Sequence, residues 1–289
     1  TAVTDGRRVC AIFANGEVAG FDLEGKSLWT RYLGTPESAY GFAASLAMWR
    51  GRVIVQLDQG EEEDRSKILA LDAVTGETVW STPRPVPNSW ASPIVISAAG
   101  RDQVITCASP WVISYEASTG KELWRAELLA GDVAPSPVFA NGLVYVACDQ
   151  TCVAALHPDG TGNVTDTKVA WIWEGDDLPD LCSLLCDGPR LYSLVVGVLH
   201  AFEARNGEHL WEHDFEANFQ ASPTLVNGKL LVLSMKGEAI SGEVDDEGFK
   251  ETGRSALGER CGASPSFAAG RLFLRGKQHL YCIGGKNGN

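Results

Sequence analysis

The chain has 289 residues, 45% of them hydrophobic and 21% charged, a balance that supports a folded core and excludes a disordered or low-complexity segment. A formal charge of −13, with no clustered Lys/Arg stripe, argues against backbone-tracking nucleic-acid binding. No apolar run reaches the ~18–20 residues a membrane-spanning helix needs, and because the sequence begins at Thr1, the lack of a targeting segment carries no information.

Nine tryptophans, 31 glycines and few helix-forming runs predict an all-β chain of short strands and tight turns. In chain order, the first unit reads as a short strand over 1–4, then strands over 7–13, 18–22 and 27–32. From there, one signature recurs: an acidic residue, a glycine turn, then tryptophan. It appears as Asp22 to Trp29, Asp72 to Trp80, Glu116 to Trp124 and Glu203 to Trp211. A degenerate copy carries an insertion through Gly160–Thr165 and reads as ending at Trp173, and another ends at Phe249. A second signature places a small residue, serine and proline before a strand, at Ser92-Pro93, Ser136-Pro137, Ser222-Pro223 and Ser264-Pro265, with looser copies at Ser45 and Ser183.

Turn glycines follow at Gly6, Gly51, Gly100, Gly142, Gly188, Gly228 and Gly270, spaced 40 to 49 residues apart, the period of a four-stranded blade. The expected fold is a β-propeller of about seven four-stranded antiparallel blades forming a single domain over 1–289, with the repeated tryptophans on outer strands as packing residues. The last unit has strands A to C and then stops at Lys286–Asn289, so the closing strand is expected upstream of Thr1. Most of the eight cysteines read as buried small hydrophobes. Cys148 and Cys152 are expected on facing strand positions, where a disulfide is one of two open readings.

The units Ala-Ser-Pro, Gly-x-Val-Tyr-Val and Ala-x-Asp-x-x-Thr-Gly-Glu-x-x-Trp resemble the PQQ-like (quinoprotein-type) β-propeller repeat over essentially the whole chain. The sequence is similar to secreted bacterial propellers and to the outer-membrane assembly scaffold lipoprotein. The resemblance implies a periplasmic or secreted protein, and eight blades if one precedes Thr1. Dehydrogenases of this family use a vicinal Cys-Cys disulfide, a Trp beneath the quinone, calcium and an Asp base. No adjacent cysteines occur here, so no catalytic residue carries over and no cofactor is expected.

Blade connectivity gathers D-to-A and B-to-C loops at one end, the usual ligand-binding end. The expected partner-binding residues there are Tyr40, Trp90, Asp132, Asp176, Asp177, Asp180, Phe219, Gln220 and Arg260, joined by Asp58, Asp149 and the acidic run 61–64. Acidic residues with aromatic anchors point to a protein or cell-envelope partner with a basic surface. Asp176, Asp177 and Asp180 offer clustered oxygens for calcium, but their spacing matches no EF-hand loop, and no metal site is expected. The five histidines mostly fall on strand C or D or in C-to-D turns, with His209 and His213 flanking Trp211 on an outer strand, and read as packing or surface groups rather than ligands. The leading expectation is a non-catalytic scaffold, and the alternative is a quinone-dependent oxidoreductase using the central funnel.

Overall fold

In a computed structural model, residues 1–61 and 65–284 are described; Glu62, Glu63 and Asp64 of the acidic run and the terminal Gly285–Asn289 lie outside them. All described elements are strands, and no helix among the described residues is long and apolar enough to cross a membrane. The described strands form seven sheets, antiparallel apart from one added edge strand, each sheet one blade of a β-propeller. The chain divides into two compact units, Thr1–Gly175 and a second beginning at Asp176.

The first unit holds four blades. Blade 1 takes Val3–Thr4, Arg8–Ile12, Glu17–Asp22 and Ser27–Tyr32; blade 2 takes Ala47–Trp49, Arg52–Leu57, Lys67–Asp72 and Thr78–Pro83. Blade 3 takes Ile94–Ala98, Arg101–Ala108, Trp111–Glu116 and Glu122–Glu127; blade 4 takes Val138–Ala140, Leu143–Cys148, Cys152–Leu156 and Val169–Trp173. The second unit holds three. Blade 5 takes Leu185–Cys186, Arg190–Val195, Val198–Glu203 and His209–Asp214, and blade 6 takes Thr224–Val226, Lys229–Leu233, Glu238–Val244 and Phe249–Ala256. Blade 7 has three strands among the described residues, Ser266–Ala268, Arg271–Arg275 and Leu280–Gly284.

Within each unit the core is a series of apolar layers between neighbouring blades. Strand alternation sorts the side chains. In blade 2, Val53, Val55 and Leu57 pack with Cys10 and Val18 of blade 1, while Ile54, Ile68 and Ala70 pack with Val104 and Ile113 of blade 3. The same sorting joins blade 3 to 4, 5 to 6 and 6 to 7. Each buried aliphatic side chain contributes about 1.5–3 kcal/mol.

Two-residue A-to-B hairpins follow from sequence at five blades, for example Asn141-Gly142 with φ of 54° and 78°. Positive φ at both positions is the type I′ turn that matches strand twist, which is why glycine recurs there. Every C-to-D pairing of the first six blades carries a bulge, between Ala70 and Leu71 in blade 2 and at the matching place elsewhere.

Both repeated signatures join blades. The indole N–H of Trp29 donates to the Ala73 carbonyl of blade 2 (3.0 Å), Trp80 to Ala117 of blade 3 (3.1 Å) and Trp211 to Asp245 of blade 6 (2.9 Å). A side chain at Gly76 or Gly120 would collide with the Trp29 or Trp80 ring, so the turn glycine also makes room for the neighbouring indole. The serines form a ladder: the Ser45 N–H donates to the Ser92 hydroxyl (2.8 Å) and the Ser92 N–H to Ser136 (2.9 Å). In the second unit Ser183 donates to Ser222 (3.0 Å) and Ser222 to Ser264 (2.9 Å).

Two readings of the repeat need correction. In blade 4 the residue opposite Ala155, the register Trp80 and Trp211 occupy in their blades, is Trp171 rather than Trp173. In blade 6 that register holds Gly253, and Phe249 sits at the start of the strand, packed on His213 and Phe215. The insertion explains the first error. Gly162–Asn163 pairs parallel with the outer strand of blade 3 as a fifth strand, and Val164 is buried against that blade. Cys148 and Cys152 do face each other in register, but both are free thiols, hydrogen-bonded to the Ala130 and Leu128 carbonyls (2.6 and 3.5 Å).

Candidate functional site

At the loop end of the first unit, three successive D-to-A loops meet two B-to-C loops around a cleft of about 640 Å³. The first loop supplies Glu37 and Tyr40, the second Asn88 and Trp90, and the third Asp132; Glu61 and Ser109 come from the B-to-C loops. Thus Tyr40, Trp90 and Asp132, separated by up to 92 positions in sequence, line one cavity.

The loops are tied to one another by backbone bonds. Gly60 donates to the Glu37 carbonyl (2.8 Å), Asn88 to Gly60 (2.9 Å) and Trp90 to Val133 (2.9 Å). The Asn88 amide oxygen accepts from the Ala39 N–H (3.2 Å) and the Ser38 hydroxyl (3.1 Å), and its nitrogen donates to the Asp58 carbonyl (3.3 Å). Trp90 donates its indole N–H to the Gly41 carbonyl (3.1 Å) and holds Tyr40 at 5.1 Å in a tilted pair. Tyr40 is 75% exposed, so the pair presents aromatic surface to solvent from a fixed position.

Beside the cleft lies a buried ion pair whose acid, Asp58, was expected among the partner-facing loop residues. Asp58 accepts two bonds from Arg84, from Nε at 2.6 Å and Nη2 at 3.0 Å, with both side chains essentially inaccessible. Its remaining lone pairs take the Ser89 hydroxyl (2.6 Å) and the Gln56 amide (2.7 Å). Arg84 also donates to Thr106 (2.5 Å) and Tyr115 (3.2 Å). Burial works against the Arg84 charge, but the Asp58 carboxylate outweighs it and raises the guanidinium pKa. Asp58 is therefore a support for the second loop, through Arg84 and Ser89, rather than a docking carboxylate. The acidic surface of the cleft comes from Glu61 and Asp132, with Glu37 paired to Arg65.

Of the expected residues in the second unit, Asp180, Phe219, Gln220 and Arg260 line two other clefts. Asp180, Phe219 and Gln220 line one of about 250 Å³. Phe219 is only 6% exposed and packs edge-on to Phe215 at 5.5 Å, which makes it core rather than an anchor. Gln220 and Arg260 line a cleft of about 350 Å³ with Arg275 and Lys277, so this cleft is basic where acidic residues were expected to predominate. Asp176 and Asp177 line neither. Asp176, Asp177 and Asp180 do not converge as a three-carboxylate group among the described residues, where the one triad able to hold a metal is His200, His209 and Glu212. Burial lowers the His200 pKa, with a smaller contribution from His209, against opposing pulls from Asp177 and Glu212.

The cysteines offer no activated thiolate at the sites above. Burial pushes Cys152 up to about 11 and Cys182 up to about 12, and raises Cys107 further.

Comparison with known proteins places the fold. No curated protein sequence matches the chain. BamB from Moraxella catarrhalis aligns over 99% of this chain and 82% of its own, with a TM-score of 0.73 and 16% identity. A europium-containing methanol dehydrogenase aligns over 94% and 73%, with a TM-score of 0.67 and 13% identity, and the C-terminal WD40 domain of Sif2 over 96% and 78%, at 0.65 and 12%. Likeness at these identities is likeness of fold. The family described as outer membrane protein assembly factor BamB matches residues 1–89, 64–185 and 183–248, and the chain belongs to that PQQ-type repeat family.

Proposed function

We propose that this chain is a non-catalytic scaffold of the bacterial cell envelope, periplasmic or secreted, whose first-unit cleft holds a basic segment of a protein partner. The observation that carries the reading is the cleft itself: a pre-oriented Tyr40–Trp90 pair flanked by Glu61 and Asp132. A lysine or arginine side chain there gains cation–π attraction from the rings and charge attraction from the carboxylates. Because Trp90 is already fixed by its bond to Gly41, little side-chain entropy is lost on binding. Family membership supports an envelope setting and a protein partner.

The test uses lysine/arginine-rich and acidic peptides of equal length, titrated calorimetrically at two salt concentrations. Basic peptides are expected to bind, to weaken with salt, and to lose about 30-fold or more in affinity with Trp90→Ala, the cost of a hot-spot aromatic. Asp132→Lys should weaken them further. Binding of neither peptide, or binding indifferent to Trp90→Ala, would sink the reading. Saturable quinone and calcium uptake with dye-linked alcohol oxidation would replace it by the oxidoreductase alternative.

A further inference from the structure

The cleft leaves unused a cluster on the outer half of blade 5. His200 lies on strand C, and His209 and Glu212 on strand D. His200 and Glu212 are direct cross-strand partners and so share a sheet face. His209 would face the other way in a regular ladder. The bulge between Ala201 and Phe202 skips Leu210, pairs His209 with Phe202 and turns its ring onto the His200 face. The imidazole centroids are 5.5 Å apart, and Phe202 backs His209 at 5.3 Å.

The ligand atoms converge. His200 Nδ1 is 3.3 Å from His209 Nε2 and 3.8 Å from a Glu212 carboxylate oxygen, and all three atoms fall within 4.8 Å of one another. A long hydrogen bond joins the two rings, but it does not account for the approach of Glu212, whose 3.8 Å is beyond bonding distance. A cation accounts for it well, since ligands about 2.0–2.1 Å from a tetrahedral metal lie roughly 3.3 Å from each other. The buried His200 provides a fixed point, and the exposed Glu212 has the freedom to close the remaining distance. The Asp177 carboxylate adds negative potential at His200.

We infer that His200, His209 and Glu212 form a binding site for a divalent transition-metal ion of the zinc class. Two imidazoles and one carboxylate select such ions over calcium or magnesium, which prefer all-oxygen shells. Three protein ligands, two of them on the exposed side, leave a fourth position for water. The site is independent of the first-unit cleft in sequence and chemistry.

The test is titration of the chelator-treated full chain with Zn²⁺ by calorimetry and with Co²⁺ by visible absorption. One equivalent and the d–d bands of four-coordinate Co²⁺ are expected. His209→Ala should weaken binding by at least about 100-fold and Glu212→Gln by at least about 10-fold, the scale on which metal sites respond to lost supporting groups. Both residues are exposed, and circular dichroism checks that the variants fold. Cys282→Ser, which removes the exposed thiol, should change nothing. Absence of one-equivalent binding, or binding unaltered by His209→Ala, overturns the assignment. So does binding that survives His209→Ala but is lost in Cys282→Ser.

Discussion

Arg84 and Asp58 are both out of water, and the carboxylate accepts four bonds, two from Arg84 and one each from Ser89 and Gln56. Removing one partner leaves the other charged and stranded. Arg84→Met is therefore expected to cost about 3–5 kcal/mol in urea unfolding, and the double change with Asp58→Leu to recover much of that. Equal losses in single and double variants would mean that the pair acts only through packing. A second residue-scale prediction concerns Glu259, whose carboxylate accepts from the Tyr281 hydroxyl (2.6 Å), the Gln278 N–H (2.5 Å) and the His279 ring (2.9 Å). These bonds, Tyr281's foremost, hold its pKa at about 2, below the ordinary 4.5. Its stabilisation is thus complete above about 4.5 and is lost as pH falls towards 2. Glu259→Gln should flatten that acid limb in thermal unfolding, and an unchanged limb would assign it to other carboxylates. Neither feature is legible in the sequence, because Asp58 and Glu259 look like any loop acid until burial and partners are known.

At the scale of the element, the recurring signatures were readable and their errors instructive. Spacing found the tryptophans of blades 1, 2, 3 and 5, because the same turn precedes each. It chose Trp173 over Trp171 in blade 4, since an insertion that leaves the blade to extend its neighbour cannot be recognised by counting. It missed the histidine–glutamate cluster for a related reason: positions 200, 209 and 212 meet only because a bulge shifts one register by one residue. The serine signature was visible, but not its bond across blades. Ser92→Ala removes the acceptor of the Ser45 N–H, and a loss of about 1–2 kcal/mol is expected from the urea midpoint, with Ser92→Thr much closer to the parent. No shift in the alanine variant would show that water replaces the hydroxyl without cost.

For the whole molecule, the periodic strands made the seven-bladed fold readable, while the site was readable only as loops. Tyr40, Trp90 and Asp132 do share a cleft, but the acidic loop end expected throughout gives way to Arg260, Arg275 and Lys277 in the second unit. We propose that residues 1–289 nonetheless behave as one domain. A single calorimetric transition, with the calorimetric and van 't Hoff enthalpies in agreement, is the expected outcome. Two separable transitions assigned to 1–175 and the remainder would show that the compact units fold independently. The serine ladder bears on how such a chain acquires its number of repeats. Each rung ends in the same pair of groups, a hydroxyl offered backward and an amide offered forward, so a unit added or deleted whole leaves identical complementary ends at the junction. The joint carries no counter. Copy number is thus free to vary while each seam that these four bonds cross keeps the same chemistry.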